Sequence, residues 1–191
     1  MTQSFNAFVV NKDDKGFTAG VRQLELDDLP AGDVTVRVHY SSINYKDGLA
    51  SVPGSPVVTS YPMVPGIDLA GIVAESSDPR FRVGQEVIAI GRALGISHFG
   101  GFAEYTRLPG DWLEPLPPGL TMKEAMALGT AGFTAGLAIQ RLEQNGMKPG
   151  NGRVLVTGAT GGVGSTAVNM LAGLGYEVSA STGKAEEHAF L

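Results

Sequence analysis

The sequence predicts an α/β chain in two unlike parts: a β-barrel, then the first half of a doubly wound parallel sheet. Three observations carry this. Residues 1–119 break into short alternating runs separated by glycine and proline turns, the pattern of a barrel or sandwich. Residues 154–164, VLVTGATGGVG, join an apolar run to a glycine turn and then to a helical stretch. Between them the texture changes at Leu120, where small residues at helical spacing replace the strands. The domains are therefore set at 1–122 and 123–191.

In order, residues 5–10 (FNAFVV) form a first strand, and residues 21–26 alternate as a half-exposed second. A Pro-Ala-Gly-Asp turn leads to residues 34–40, with valines on one face. Residues 41–49 leave that strand and open a short helix. Asn44, Tyr45, Lys46 and Asp47 put an amide, a phenol, an amine and a carboxylate in consecutive positions. Four prolines make residues 50–65 an ordered loop. Residues 65–74 form a glycine-flanked strand with one acid, Asp68, among apolar neighbours; such an acid is paired, exposed by a bend, or functional. Residues 78–85 turn into a strand at 86–90, and further short strands fall at 102–107 and 112–116.

Thr121 and Glu124 then form a capping box. Two helices follow, with Gly146 as the stop. The next strand, 154–156, is apolar enough to be buried. The turn Gly158, Ala159, Thr160, Gly161, Gly162, Val163, Gly164 and the helix start Ser165, Thr166 form a phosphate-binding arrangement. Backbone without Cβ can approach a pyrophosphate, and a helix N-terminus offers free N–H groups. The alternative is a turn that only reverses the chain. After the helix, 176–180 reads as the next strand. Where an NAD-preferring fold places a carboxylate on the ribose, this chain has Ser181, Thr182, Gly183 and Lys184. That favours NADP, against the reading of a solvated polar loop.

Composition narrows the classes. A net charge of -5 argues against nucleic acid and gives no attraction to anionic membrane. With 0 Cys there are no disulfides, no cysteine nucleophile and no thiolate metal site. Residues 1–4 begin nothing like a signal peptide, and no apolar run reaches spanning length, so a cytoplasmic protein is expected.

The order of barrel-like half, GTAGFTAG at 129–136 and VTGATGGVG at 156–164 resembles the medium-chain dehydrogenase/reductase superfamily. Asn44-Tyr45-Lys46-Asp47, PGIDLAG at 65–71, DPRF at 78–81 and GSTAV at 164–168 are most similar to its quinone-oxidoreductase-like subfamily, which includes acrylyl-CoA reductases. The resemblance implies a GroES-like barrel followed by a Rossmann nucleotide fold. It implies hydride transfer from NADPH to the β-carbon of an α,β-unsaturated carbonyl or thioester, then protonation of the α-carbon. The substrate would be a small enone, quinone or acyl-CoA, and the full-length protein a homodimer. Zinc members hold their metal at places that look like Asn44, Ile67 and Thr130 here, which are no zinc ligand set, so no metal is expected. Tyr45 would touch the nicotinamide end or the substrate carbonyl, Asp68 would orient Tyr45 or Lys46, Asn44 would act beside them, and Thr134 would face the nicotinamide. The competing readings are a packed Tyr45 and an Asp68 that holds loop N–H groups.

A short-chain dehydrogenase shares the glycine fingerprint but begins with it, whereas about 150 residues precede it here. The superfamily's chains are longer, and only the first strand–helix–strand of the nucleotide fold is expected here. The resemblance thus implies a piece of a longer enzyme; a non-catalytic nucleotide-binding or scaffolding remnant is the reading of another class.

Overall fold

A computed structural model describes residues 3–191. Residues 1 and 2, part of the segment read as lacking signal-peptide character, lie outside the described residues. The chain forms two compact units, one ending at Gly129 and the other Thr130–Leu191.

In the first unit, β1 (Ser4–Asp13) and β2 (Gly16–Glu25) pair antiparallel in continuous register, from Ser4 opposite Glu25 to Asp13 opposite Gly16. β1 extends beyond the expected 5–10 at both ends, and β2 begins five residues before the expected 21–26 and stops one residue short, at Glu25. Asp13 Oδ1 accepts the Lys15 N–H and Gly16 takes φ 117°, so the hairpin closes through charged residues without apolar alternation. The remaining strands are β3 (Val34–Ser41), β4 (Asp68–Ser76), β5 (Glu86–Ile90), β6 (Tyr105–Leu108) and β7 (Glu114–Pro115). They form one antiparallel sheet in the order β6-β3-β4-β5-β7. Irregularities in the β3–β4 register bend the sheet. Backbone bonds from Phe8 to Phe102 and between Val10 and Met63 tie the hairpin across it, which gives the barrel-like closure. The core is the inward-facing residues, Val34, Val36, Leu69, Val73, Val87 and Leu108 among them. The last two strands are shorter than the sequence suggested. The segment before β6 bridges to the hairpin at Ala103 and gives the sheet only the Glu104 carbonyl, which accepts the Val38 N–H, and Pro115 ends β7 after two residues.

Helix α1 (Tyr45–Ala50) follows β3. Helix α2 (Met122–Gln144) opens on the expected capping box: Thr121 N–H donates to Glu124 Oε2 at 2.8 Å, and Glu124 N–H to Thr121 Oγ1 at 3.2 Å. Gly129, at φ 50° and ψ −155°, breaks it into the two helical segments expected, and Gly146 follows its end at φ 94°.

In the second unit, β8 (Val154–Thr157) and β9 (Val178–Ser181) pair parallel around α3 (Gly162–Gly173). Ile139, Leu171 and Tyr176 form its core, with Val154, Val156 and Val178 packed on it. Two expectations are corrected. The β8 run is half-buried on one face, at Val154 and Val156, and open on the other, where Leu155 is 65% exposed. Tyr176 lies outside β9: its ring fills the core while its hydroxyl donates to Glu143 Oε1 at 2.9 Å, so burial rather than strand pairing places it.

Candidate functional site

The polar centre of the first unit forms where β3 ends. Asp68, fully buried at the start of β4, accepts at Oδ2 from the Ser42 hydroxyl and from Asn44 Nδ2, the latter at 2.9 Å. Asn44 Nδ2 also reaches Ser42 Oγ at 2.9 Å. The Ser41 hydroxyl donates to the Asp68 carbonyl at 2.7 Å. Ser42 and Asn44 are thus among the groups that hold the Asp68 carboxylate, whereas Tyr45, which the sequence placed beside it, turns away. The reason is geometric: α1 starts at Tyr45 and turns that side chain outward, leaving it 84% exposed, while Asn44 at the N-cap still points inward. In this structure Tyr45 is exposed, where the competing reading had it packed.

Asp47 holds loop N–H groups, a part the competing reading gave to Asp68. Its Oδ1 accepts from Ile67 N–H at 2.9 Å and Gly66 N–H at 3.2 Å, and its Oδ2 from Asn44 N–H at 2.7 Å. Burial pushes the Asp47 carboxyl above the ordinary carboxylate value, against the pull of these donors. In the sequence Asp47 stood only as the carboxylate of the 44–47 run and Gly129 only as the first residue of GTAGFTAG, and Ser42 carried no expectation. The Asn-x-x-Asp spacing of a reciprocal helix cap was the available signal for Asp47. The N–H groups it holds are 19 and 20 residues away in sequence, where no local pattern reports them.

In the second unit the glycine turn lies between β8 and α3, as expected. Gly158 takes φ 59°, and Ala159 is fully buried with its N–H on Ser181 O at 3.0 Å. Gly161 is the N-cap of α3 and supplies no side-chain oxygen, so the first-turn amides of Gly162, Val163 and Gly164 have no side-chain cap. Gly164 packs so closely on the Gly158 carbonyl that a Cβ would overlap it. This is a cradle suited to a pyrophosphate. Three hydroxyls expected at the cofactor turn back onto their own helices: Thr166 to Gly162 O at 2.8 Å, Ser165 to the same carbonyl at 3.4 Å, and Thr134 to Thr130 O at 2.7 Å. Thr182 Oγ1 meets Thr160 Oγ1 at 3.1 Å and accepts the Lys184 N–H at 3.2 Å, which fixes the loop after β9. Ser181, Gly183 and Lys184 are exposed. Among the described residues no three His, Cys, Asp or Glu side chains are grouped to hold a metal ion.

Residues 30–118 match the alcohol dehydrogenase GroES-like domain. The chain is 55% identical over 189 residues to the acrylyl-CoA reductase AcuI of Ruegeria pomeroyi, covering 98% of this chain and 57% of that protein. It is 52% identical over 191 residues to the putative quinone oxidoreductase YhfP of Bacillus subtilis, covering all of this chain and 58% of that one. The crystal structure of that Bacillus protein with NAD bound superposes with TM-score 0.94 over 99% of this chain and 57% of its own. The yhdH oxidoreductase of Salmonella enterica in complex with NADP is 50% identical and superposes with TM-score 0.92 over 97% of this chain and 57% of its own. The chain thus spans somewhat over half the length of these relatives.

Proposed function

Because the chain belongs to the quinone-oxidoreductase-like branch of the medium-chain dehydrogenase/reductase superfamily, we propose that the protein carrying it is a zinc-independent, NADPH-dependent reductase of α,β-unsaturated carbonyls or thioesters. The observation that carries this is the uncapped start of α3 behind a glycine turn too tight for a Cβ, in a chain alike throughout to an NADP complex.

When bound, NADPH supplies the hydride. The remaining work falls to this chain. Residues 123–191 hold the cofactor: the amides of Gly162, Val163 and Gly164 take the pyrophosphate. Ser181, Thr182, Gly183 and Lys184 take the 2′-phosphate, and Lys184 brings the charge. Residues 1–122 serve the substrate. Tyr45, its phenol open to solvent, donates to the substrate carbonyl or the nicotinamide end. Asn44 and Asp68, whose polar atoms are engaged with each other and with Ser42, position the segment that presents Tyr45. Zinc-independence rests on the donor set: Asn44, Ile67 and Thr130 bring no thiolate, imidazole or carboxylate. A homodimer in the cytoplasm completes the reading; among the described residues no helix is long and apolar enough to cross a membrane.

An acryloyl-CoA-like thioester is the substrate favoured by the Ruegeria relative's name, and a quinone is the second reading, favoured by the Bacillus relative's. The test is the whole protein, treated with chelator, given NADPH deuterated at the nicotinamide and offered acryloyl-CoA, a simple enone or a benzoquinone. Deuterium on the β-carbon of the reduced thioester or enone is the expected result. Oxidation of NADPH by the quinone alone would move the assignment to the second reading. Binding of NADPH with no turnover of any of the three would favour a non-catalytic nucleotide-binding remnant.

A further inference from the structure

Asp47 is a buried carboxylate that the proposed chemistry does not use. It is 2% exposed and sits in the first turn of a six-residue helix. Its two oxygens bond two separate pieces of chain. Oδ2 holds the Asn44 N–H, next to Tyr45; Oδ1 holds the N–H groups of Gly66 and Ile67, next to Asp68. Both backbone segments that carry the candidate catalytic side chains are thus fixed by one group.

Burial makes an ionised carboxylate a costly choice at this position. Burial disfavours the ionised form by more than the hydrogen bonds from the Asn44 and Ile67 N–H groups and from the Asn44 side chain favour it, and the neighbouring Asp68 adds to the cost. A rigid carboxylate does what a neutral side chain cannot: both its oxygens accept, in fixed geometry, from donors on opposite sides.

We infer that Asp47 is a positioning residue for the reduction proposed above, setting the placement of Tyr45 relative to Asp68 through the backbone of Asn44, Gly66 and Ile67. This rests on the proposed function only for the reaction it serves. It differs from a helix cap in its consequence, since the effect is on turnover and not on cofactor binding.

The whole protein carrying Asp47→Asn tests it. The amide keeps an acceptor for Gly66 and Ile67 and sets an NH2 against the Asn44 N–H, so α1 shifts locally. With acryloyl-CoA as substrate, kcat falls by about tenfold to a hundredfold, the size of effect a displacement of about 1 Å produces. The dissociation constant for NADPH stays within about twofold, because the groups proposed to hold its pyrophosphate and 2′-phosphate belong to α3 and residues 181–184, and Tyr45 would add at most one contact at the nicotinamide end. The ring and amide NMR signals of Tyr45 move in the variant whether or not the wild type turns over. An inactive wild type therefore sinks the proposed function alone, and the Tyr45 signals then decide the placement. If Asp47→Asn does not fold, Asp47→Glu is judged by the same measurements. Unmoved Tyr45 signals, an unchanged kcat in an active protein, NADPH affinity lost in step with kcat, or failure of both variants to fold would each overturn the inference.

Discussion

Gly129 faces the Asp68 carboxylate so closely that a Cβ on Gly129 would lie 2.8 Å from Asp68 Oδ2 and 3.1 Å from Ser42 Oγ. Its φ of 50° with ψ of −155° is also a backbone conformation open to glycine and strained for other residues. Shape and backbone thus make the same demand at one position. Gly129→Ala should cost at least about 1–3 kcal/mol from the backbone strain alone. Denaturant unfolding of the whole protein measures it, and an unchanged midpoint would show that the kink tolerates a side chain.

The Asn44–Asp68 bond should show as coupling between two substitutions. Asp68→Ala leaves the Ser42 hydroxyl and the Asn44 amide without the acceptor they share, a loss of about 1–3 kcal/mol. Asn44→Ala removes one donor and leaves the other. In a double-mutant cycle the two should be non-additive by about 0.5–3 kcal/mol. Strict additivity would mean that the amide and the carboxylate act independently.

The outline of this arrangement was legible where chemistry is local. The glycine turn announced itself because a positive φ at Gly158 and the close approach of Gly164 admit little else. Thr121 and Glu124 announced α2 because a cap lies within one helical turn. What escaped was tertiary. Residues 16–20 carry two glycines and little alternation, yet they pair fully because β1 provides the partner. Tyr176 has the composition of a strand residue, yet a core across the helix claims its ring. At the polar centre the sequence offered two acids and no way to tell them apart. Only the fold shows that Asp47 holds backbone and Asp68 holds side chains.

Asp47 should also leave a mark on stability against pH. Burial holds its carboxyl above the ordinary value of 3.8, so the folded protein keeps this proton to a higher pH than the unfolded chain. Between those two values the folded state binds more protons, and the unfolding free energy contributed by this group falls as pH rises. It levels off once both states are ionised. Asp47→Asn has no such proton, so the stability of wild type minus that of the variant should decline across this acidic window and then run flat. A difference that instead rises with pH would mean that the hydrogen bonds from Asn44 and Ile67 outweigh burial.

The cofactor's phosphate supplies the last test. The loop after β9 is pinned by Thr182, whose hydroxyl meets Thr160 and accepts the Lys184 N–H, so the Lys184 backbone is fixed while its side chain is exposed. An ammonium on a fixed backbone, with no carboxylate in residues 181–184, suits a 2′-phosphate. Lys184→Ala in the whole protein should weaken NADPH by roughly 1.5–3 kcal/mol, on the order of tenfold to a hundredfold, and leave NADH nearly unchanged. Thr182→Ala should weaken both, because it loosens the loop and removes no charge. One relative is known with NADP bound and another with NAD, so the two cofactors must be titrated side by side. Equal losses for NADPH and NADH in Lys184→Ala would make Lys184 a surface lysine and leave the 2′-phosphate to other groups.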